Sequence, residues 1–113
     1  MDYKRPNNDS VDQGRQAAIV SYLTIIGSVI ALLMNNEDKN SFASFHIRQS
    51  LGMFLVFFAL GYPIGYFDSW AVTTAFYIFF FVLWIYGFLG ALQGQMNVMP
   101  ILGPLFQKWF KTI

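Results

Sequence analysis

Three uninterrupted apolar runs dominate the chain: 17–34 (AAIVSYLTIIGSVIALLM), 50–67 (SLGMFLVFFALGYPIGYF) and 70–92 (WAVTTAFYIFFFVLWIYGFLGAL), none of them broken by Asp, Glu, Lys, Arg or His. At about 1.5 Å per residue the two shorter runs reach roughly 27 Å as helices and the third about 35 Å. The hydrocarbon core of a bilayer is about 30 Å thick. Each run therefore reads as a transmembrane helix, the third with some tilt. A helix buried in a soluble bundle would keep a polar stripe for water, and these runs have none. Composition agrees, with 56% hydrophobic and only 12% charged residues, where soluble domains carry about 25% charge. So small a chain also buries the smallest share of its surface. The expectation is an all-α integral membrane protein with three transmembrane helices, forming a single membrane domain over 17–113.

The connections refine that picture. Residues 1–16 (MDYKRPNNDSVDQGRQ) are polar and predict a disordered N-terminal tail. Their three Asp residues do not suit a transit peptide, and no A-x-A-like site follows the first run as a cleaved signal would require. Asp68-Ser69 alone joins the second and third runs, which forces an antiparallel hairpin. Residues 35–49 open as a polar loop and, from Ser41, are compatible with a helix that continues into the second run. Gly103-Pro104 signals the start of a short helix over 104–112. Leu105, Phe106, Trp109, Phe110 and Ile113 form one face, and Gln107, Lys108 and Lys111 the other. Too short to span, it is expected to lie in the interface, with Trp109, Lys108 and Lys111 as anchors and Trp70 in the aromatic belt. Three crossings would put Lys4, Arg5 and Arg15 on one side and Lys39, Arg48, Lys108 and Lys111 on the other. The positive-inside rule then favours a cytoplasmic first loop and C-terminal segment.

The spans hold no ionisable residue, the usual mark of a proton or ion pathway. Neither a paired-Asp nor a Ser–His arrangement points to an intramembrane protease. No catalytic residue is assigned, and the chain reads as a non-enzyme. With no cysteine and one His near Glu37 and Asp38, ligand number and spacing are wrong for a metal, and no cofactor is called for. A net charge of +1 gives no basic face for nucleic acid. Gly61 and Gly65, and again Gly90 and Gly94, match the G-x-x-x-G spacing that lets helices approach closely. Pro63 predicts a kink in the second span.

The remaining feature is 41–54, SFASFHIRQSLGMF. On a helix, Phe42, Phe45, His46, Gln49 and Met53 make one stripe, with Arg48 beside it. One reading is an interfacial helix start whose aromatics dip into lipid and whose polar groups reach water or phosphate. The other is that Phe42, Phe45, His46, Arg48 and Gln49 bind a partner. The segment has the form S-F-x-x-F-H-x-(R/K)-Q-(A/S)-L, carried by Ser41, Phe42, Phe45, His46, Arg48, Gln49, Ser50 and Leu51. Ala91, Leu92, Gly94, Pro100 and Gly103 follow later. Over roughly 17–106 the chain resembles the Tic-twenty-like family, small bacterial membrane proteins similar to the chloroplast inner-envelope protein-import component. That component is described with four spans, where this chain shows three and an amphipathic helix. The resemblance implies a bacterial cytoplasmic membrane, a lipid bilayer around the protein, and a second copy or another membrane protein as partner, in protein translocation or membrane assembly. An oligomeric pore or transporter subunit and a lipid-binding membrane protein are the alternative functions.

Overall fold

The computed structural model describes residues 6–113. Among them are five α-helices and no strand: α1 (Asn8–Ser21), α2 (Ile25–Met34), α3 (Ser41–Ile64), α4 (Trp70–Gln93) and α5 (Gly103–Trp109), with a 3₁₀ turn over Gly65–Phe67 after α3. Four starts are fixed by side-chain caps. Asn7 accepts from the Ser10 N–H, Thr24 from Gly27, Asn40 from Ala43 and Ser69 from Val72, as polar N-caps do for otherwise unpaired first-turn donors. α4 stops at Gly94, whose φ of 72° is the left-handed conformation that glycine adopts without strain. α3 does run from Ser41 straight through the second apolar run. Pro63 sits in its last turn, just before the 3₁₀ turn.

The N-terminal third departs from expectation. Residues 8–16, read as disordered tail, are helical; residues 1–5 of that tail lie outside the described residues. Val11, Gly14, Ala17 and Ala18 of α1 are buried, so a small-residue face pays for order in a segment whose composition looked too polar to fold. The run 17–34 is not one helix either. It breaks at 22–24 and folds back. Ala17 and Ala31 share a core cluster with Ala43 and Ile47, although an unbroken helix would hold the first two about 21 Å apart. Ser28 Oγ donates to the Ser21 carbonyl at 2.7 Å, which closes the hairpin. The physical cause is a concentration of hydroxyls at Ser21, Thr24 and Ser28, whose local hydrogen bonds compete with helix continuation.

α3 and α4 form an antiparallel pair, and these two helices are long and apolar enough to cross a membrane. Only 17% of the most apolar window of the first and 28% of the second is buried, unlike the core helices of a soluble protein. α5 packs antiparallel along the first half of α3: Phe106 is fully buried over Gly52, and Gln107, expected on the outer polar face, is buried and meets the Phe45 carbonyl. A side chain on Gly52 would collide with the Phe106 ring. Of the anticipated anchors, Trp70 and Trp109 are exposed, at 83% and 58%, and so are Lys108 and Lys111. The result is a head of α1, α2, α5 and the adjoining halves of α3 and α4, from which the other halves project. The molecule measures 48 × 24 × 22 Å.

Candidate functional site: a buried polar cluster around His46

Between α4 and α5 the chain cannot stay helical. Gly94 and Ile101 have positive φ, and Pro100 and Gly103 interrupt any repeat. Residues 95–99 therefore enter the head as irregular chain, and their peptide groups need partners other than their own helix. α3 supplies them. His46 Nε2 donates to the Gln95 carbonyl at 2.8 Å. Gln49 Nε2 donates to the Asn97 carbonyl at 3.0 Å, and Gln49 Oε1 accepts the Met99 N–H at 2.6 Å.

Tyr22, from the break between α1 and α2, completes the set. Its hydroxyl donates to His46 Nδ1 at 2.7 Å and accepts from Gln49 Nε2 at 3.2 Å. A carbonyl only accepts, so the Gln95 contact requires a proton on His46 Nε2. With the Tyr22 hydroxyl already receiving Gln49, its own proton goes to a bare Nδ1. The pattern thus assigns the Nε2–H tautomer, and every donor and acceptor of the three side chains is matched. Trp84 Nε1 donates to the Tyr22 carbonyl at 2.7 Å and ties the break to α4. Edge-on rings of Phe42, Phe45 and Tyr22 surround the imidazole, with centroids 4.7, 5.1 and 5.5 Å away.

Arg48 lies to the side of this cluster and grips the end of α5. Its Nε donates to the Phe110 carbonyl at 3.1 Å, Nη2 to the Lys111 carbonyl at 3.1 Å and Nη1 to Gln107 Oε1 at 3.3 Å. Gln107 Nε2 in turn donates to the Phe45 carbonyl at 2.8 Å. Ser44 Oγ donates to the Ile113 carbonyl at 3.2 Å, and Lys39 Nζ to that of Thr112 at 3.3 Å.

The motif residues are thus brought together, but inward. Phe42, Phe45, His46 and Gln49 have no exposed surface. These four of the five proposed partner-binding residues therefore present no surface in this fold, whereas Arg48 is half-buried. Gly90 packs on the Asn97 side chain and Gly94 caps α4, so that G-x-x-x-G pair serves the head. Gly61 and Gly65 lie at the opposite end of α3, away from the cluster. A Cβ on Gly61 would meet only the Phe76 ring, at 3.9 Å, and one on Gly65 nothing within 4 Å. A groove of about 380 Å³ borders them, lined by Phe57, Phe58, Tyr62, Thr73, Phe76 and Tyr77. Tyr22, Trp84, Asn97, Met99 and Gln107 were not anticipated as members of the site. A phenol and an indole within apolar runs were the visible signal for two of them, whereas Asn97 and Met99 take part through backbone groups that residue type does not reveal. Among the described residues, no three His, Asp or Glu side chains converge on a common point.

Comparison with known proteins gives one informative similarity. The chain is 25% identical over 103 residues to a UPF0132 membrane protein of Methanocaldococcus jannaschii, covering 89% of this chain and 72% of that protein. No family model matches, and no solved structure matches. The two apolar helices and this similarity both point to a small membrane protein.

Proposed function

We propose that the chain is a non-enzymatic protein of the cytoplasmic membrane that works by docking another membrane-spanning helix, in protein translocation or membrane assembly. The observation that carries this reading is the open groove beside Gly61 and Gly65. The head's glycines at 52, 87 and 90 are each filled by a neighbour from the same chain. The distal pair is left unfilled, and small residues on a spanning helix are where a second helix approaches closely. His46 supports the non-enzymatic part, since both ring nitrogens are committed to internal hydrogen bonds. The Tic-twenty-like resemblance of 41–51 agrees in kind, but the docking surface proposed is the distal hairpin and not the buried motif.

The test is site-specific photocrosslinking from Phe58 and Tyr62 in native membranes. Capture of a membrane-spanning partner, a second copy included, is expected, and Gly65→Leu should abolish it. Recovery of lipid adducts alone, or a yield indifferent to Gly65→Leu, would reject the reading.

A further inference from the structure

α2 has ten residues, about 15 Å of helix, which is half the hydrocarbon thickness. Gly27, Ser28 and Ala31 form its buried side, while Ile26, Ile30 and Leu33 on its other side are 68%, 46% and 71% exposed. Its hairpin turn lies against the middle of α4, where Tyr22 meets Trp84. Irregular backbone at that depth is tolerated in a bilayer only where protein satisfies its polar groups. Here protein groups meet most of it. The Tyr22 and Leu23 N–H groups donate to Ile19 and Val20 at 3.1 and 3.2 Å. The Ser21, Tyr22 and Thr24 carbonyls accept from Ser28 Oγ, Trp84 Nε1 and the Ser28 N–H.

Both open ends of the hairpin return to the start of α3. Asn40 Nδ2 donates to the Ser10 carbonyl at 2.8 Å, which three crossings would hold a bilayer apart. The 110–113 segment rises to the same place through Arg48 and Ser44. Arg15, Lys39, Arg48, Lys108 and Lys111 consequently belong to the head, and the turn between α3 and α4 presents Asp68 alone among charged residues.

We infer that the chain crosses the bilayer twice, through α3 and α4, with the α1–α2 hairpin re-entrant. The outer face of α2 is seated among the acyl chains of one leaflet, continuous with the lipid-facing surface of α3 and α4. Asn8, the 35–40 loop and the 110–113 segment all face the cytoplasm. Segregated cations set that direction, because Lys and Arg near span ends are retained on the cytoplasmic side. Three crossings would instead set Lys4, Arg5 and Arg15 on one side against Lys39, Arg48, Lys108 and Lys111 on the other, three against four, a much weaker bias.

The inference rests on the membrane reading above, and the two fail differently. The chain has no cysteine, so single Cys variants report position directly with a membrane-impermeant maleimide. Ser69→Cys should label in intact cells, and Asp9→Cys, Glu37→Cys and Lys111→Cys only after permeabilisation. Leu23→Cys, at the hairpin tip, should stay unlabelled in both conditions. Asp9→Cys and Glu37→Cys reporting from opposite sides would establish three crossings and overturn the inference. All three head sites labelling in intact cells would overturn the direction. A disulfide-linked dimer through Leu23→Cys would seat a second copy, not lipid, on that face. Release of the wild-type protein by alkaline carbonate would instead remove the membrane reading itself.

Discussion

The two halves of α3 belong to one helix and meet opposite demands. From Ser41 to Met53 the helix buries Phe42, Ser44, Phe45, His46, Gln49 and Ser50 against the rest of the head. From Phe54 onward no residue of it is buried, and its side chains are apolar or aromatic. The polar half is the one enclosed by protein, and the apolar half is the one left open. Polarity in this molecule follows irregular backbone and not water. Where neighbouring chain is helical its peptide groups satisfy themselves and α3 needs only bulk. Where the chain breaks, at 22–24 and 95–99, α3 and its neighbours must supply donors and acceptors.

Substitutions should separate the halves in a graded way. Gln49→Leu is expected to do the most damage. It leaves the Met99 N–H, the Asn97 carbonyl and one lone pair of the Tyr22 hydroxyl without partners, and each buried group so orphaned costs about 1–3 kcal/mol. Denaturant unfolding in detergent should register a loss of roughly 3 kcal/mol or more, while Phe58→Leu in the open half stays within about 0.5 kcal/mol of wild type. Gly52→Leu comes next. The added side chain must displace the Phe106 ring, and overpacking of this kind costs about 1–3 kcal/mol. Gly65→Leu, in the 3₁₀ turn that follows α3, should leave the unfolding midpoint unchanged and lower only the crosslinking yield. Arg48→Lys keeps the charge but loses the fork that reaches Phe110, Lys111 and Gln107 together. Limited proteolysis should then cut at 108–113 sooner, with α3–α4 peptides unaffected. Tyr62→Phe should have the smallest effect. It removes an exposed hydroxyl bond of 2.9 Å to Tyr66, and surface changes of this sort fall within about 0.5 kcal/mol.

Much of this architecture was legible in the residues, and the misses share a cause. α3 and α4 announced themselves because hydrophobic length alone decides whether a helix can span. The start of α3 at Ser41 and the tight Asp68-Ser69 turn were legible as well. The break at 22–24 was hidden because Ser21, Thr24 and Ser28 are tolerated in spanning helices, and only their joint hydrogen bonds stop one. The order of α1 was hidden because it depends on Gly14 and Ala18 fitting against α3, a tertiary contact that polar composition masks. His46, Arg48 and Gln49 stood out as the chain's most distinctive segment. Their role did not, because the groups they serve, the Gln95, Asn97 and Phe110 carbonyls and the Met99 N–H, are backbone and leave no mark on residue identity. The same blindness hid the packing of α5 on α3, since its apolar face by itself does not name what it meets.

The central claim is that Gln49 and His46 hold the irregular 95–99 segment inside the head. Hydrogen exchange of the Met99 amide in the reconstituted protein tests it most directly. Wild type should protect that amide, and Gln49→Leu should speed its exchange about a hundredfold, the equivalent of roughly 3 kcal/mol, with amides of the α3–α4 hairpin unchanged. Equal exchange at Met99 in the two proteins would contradict the claim.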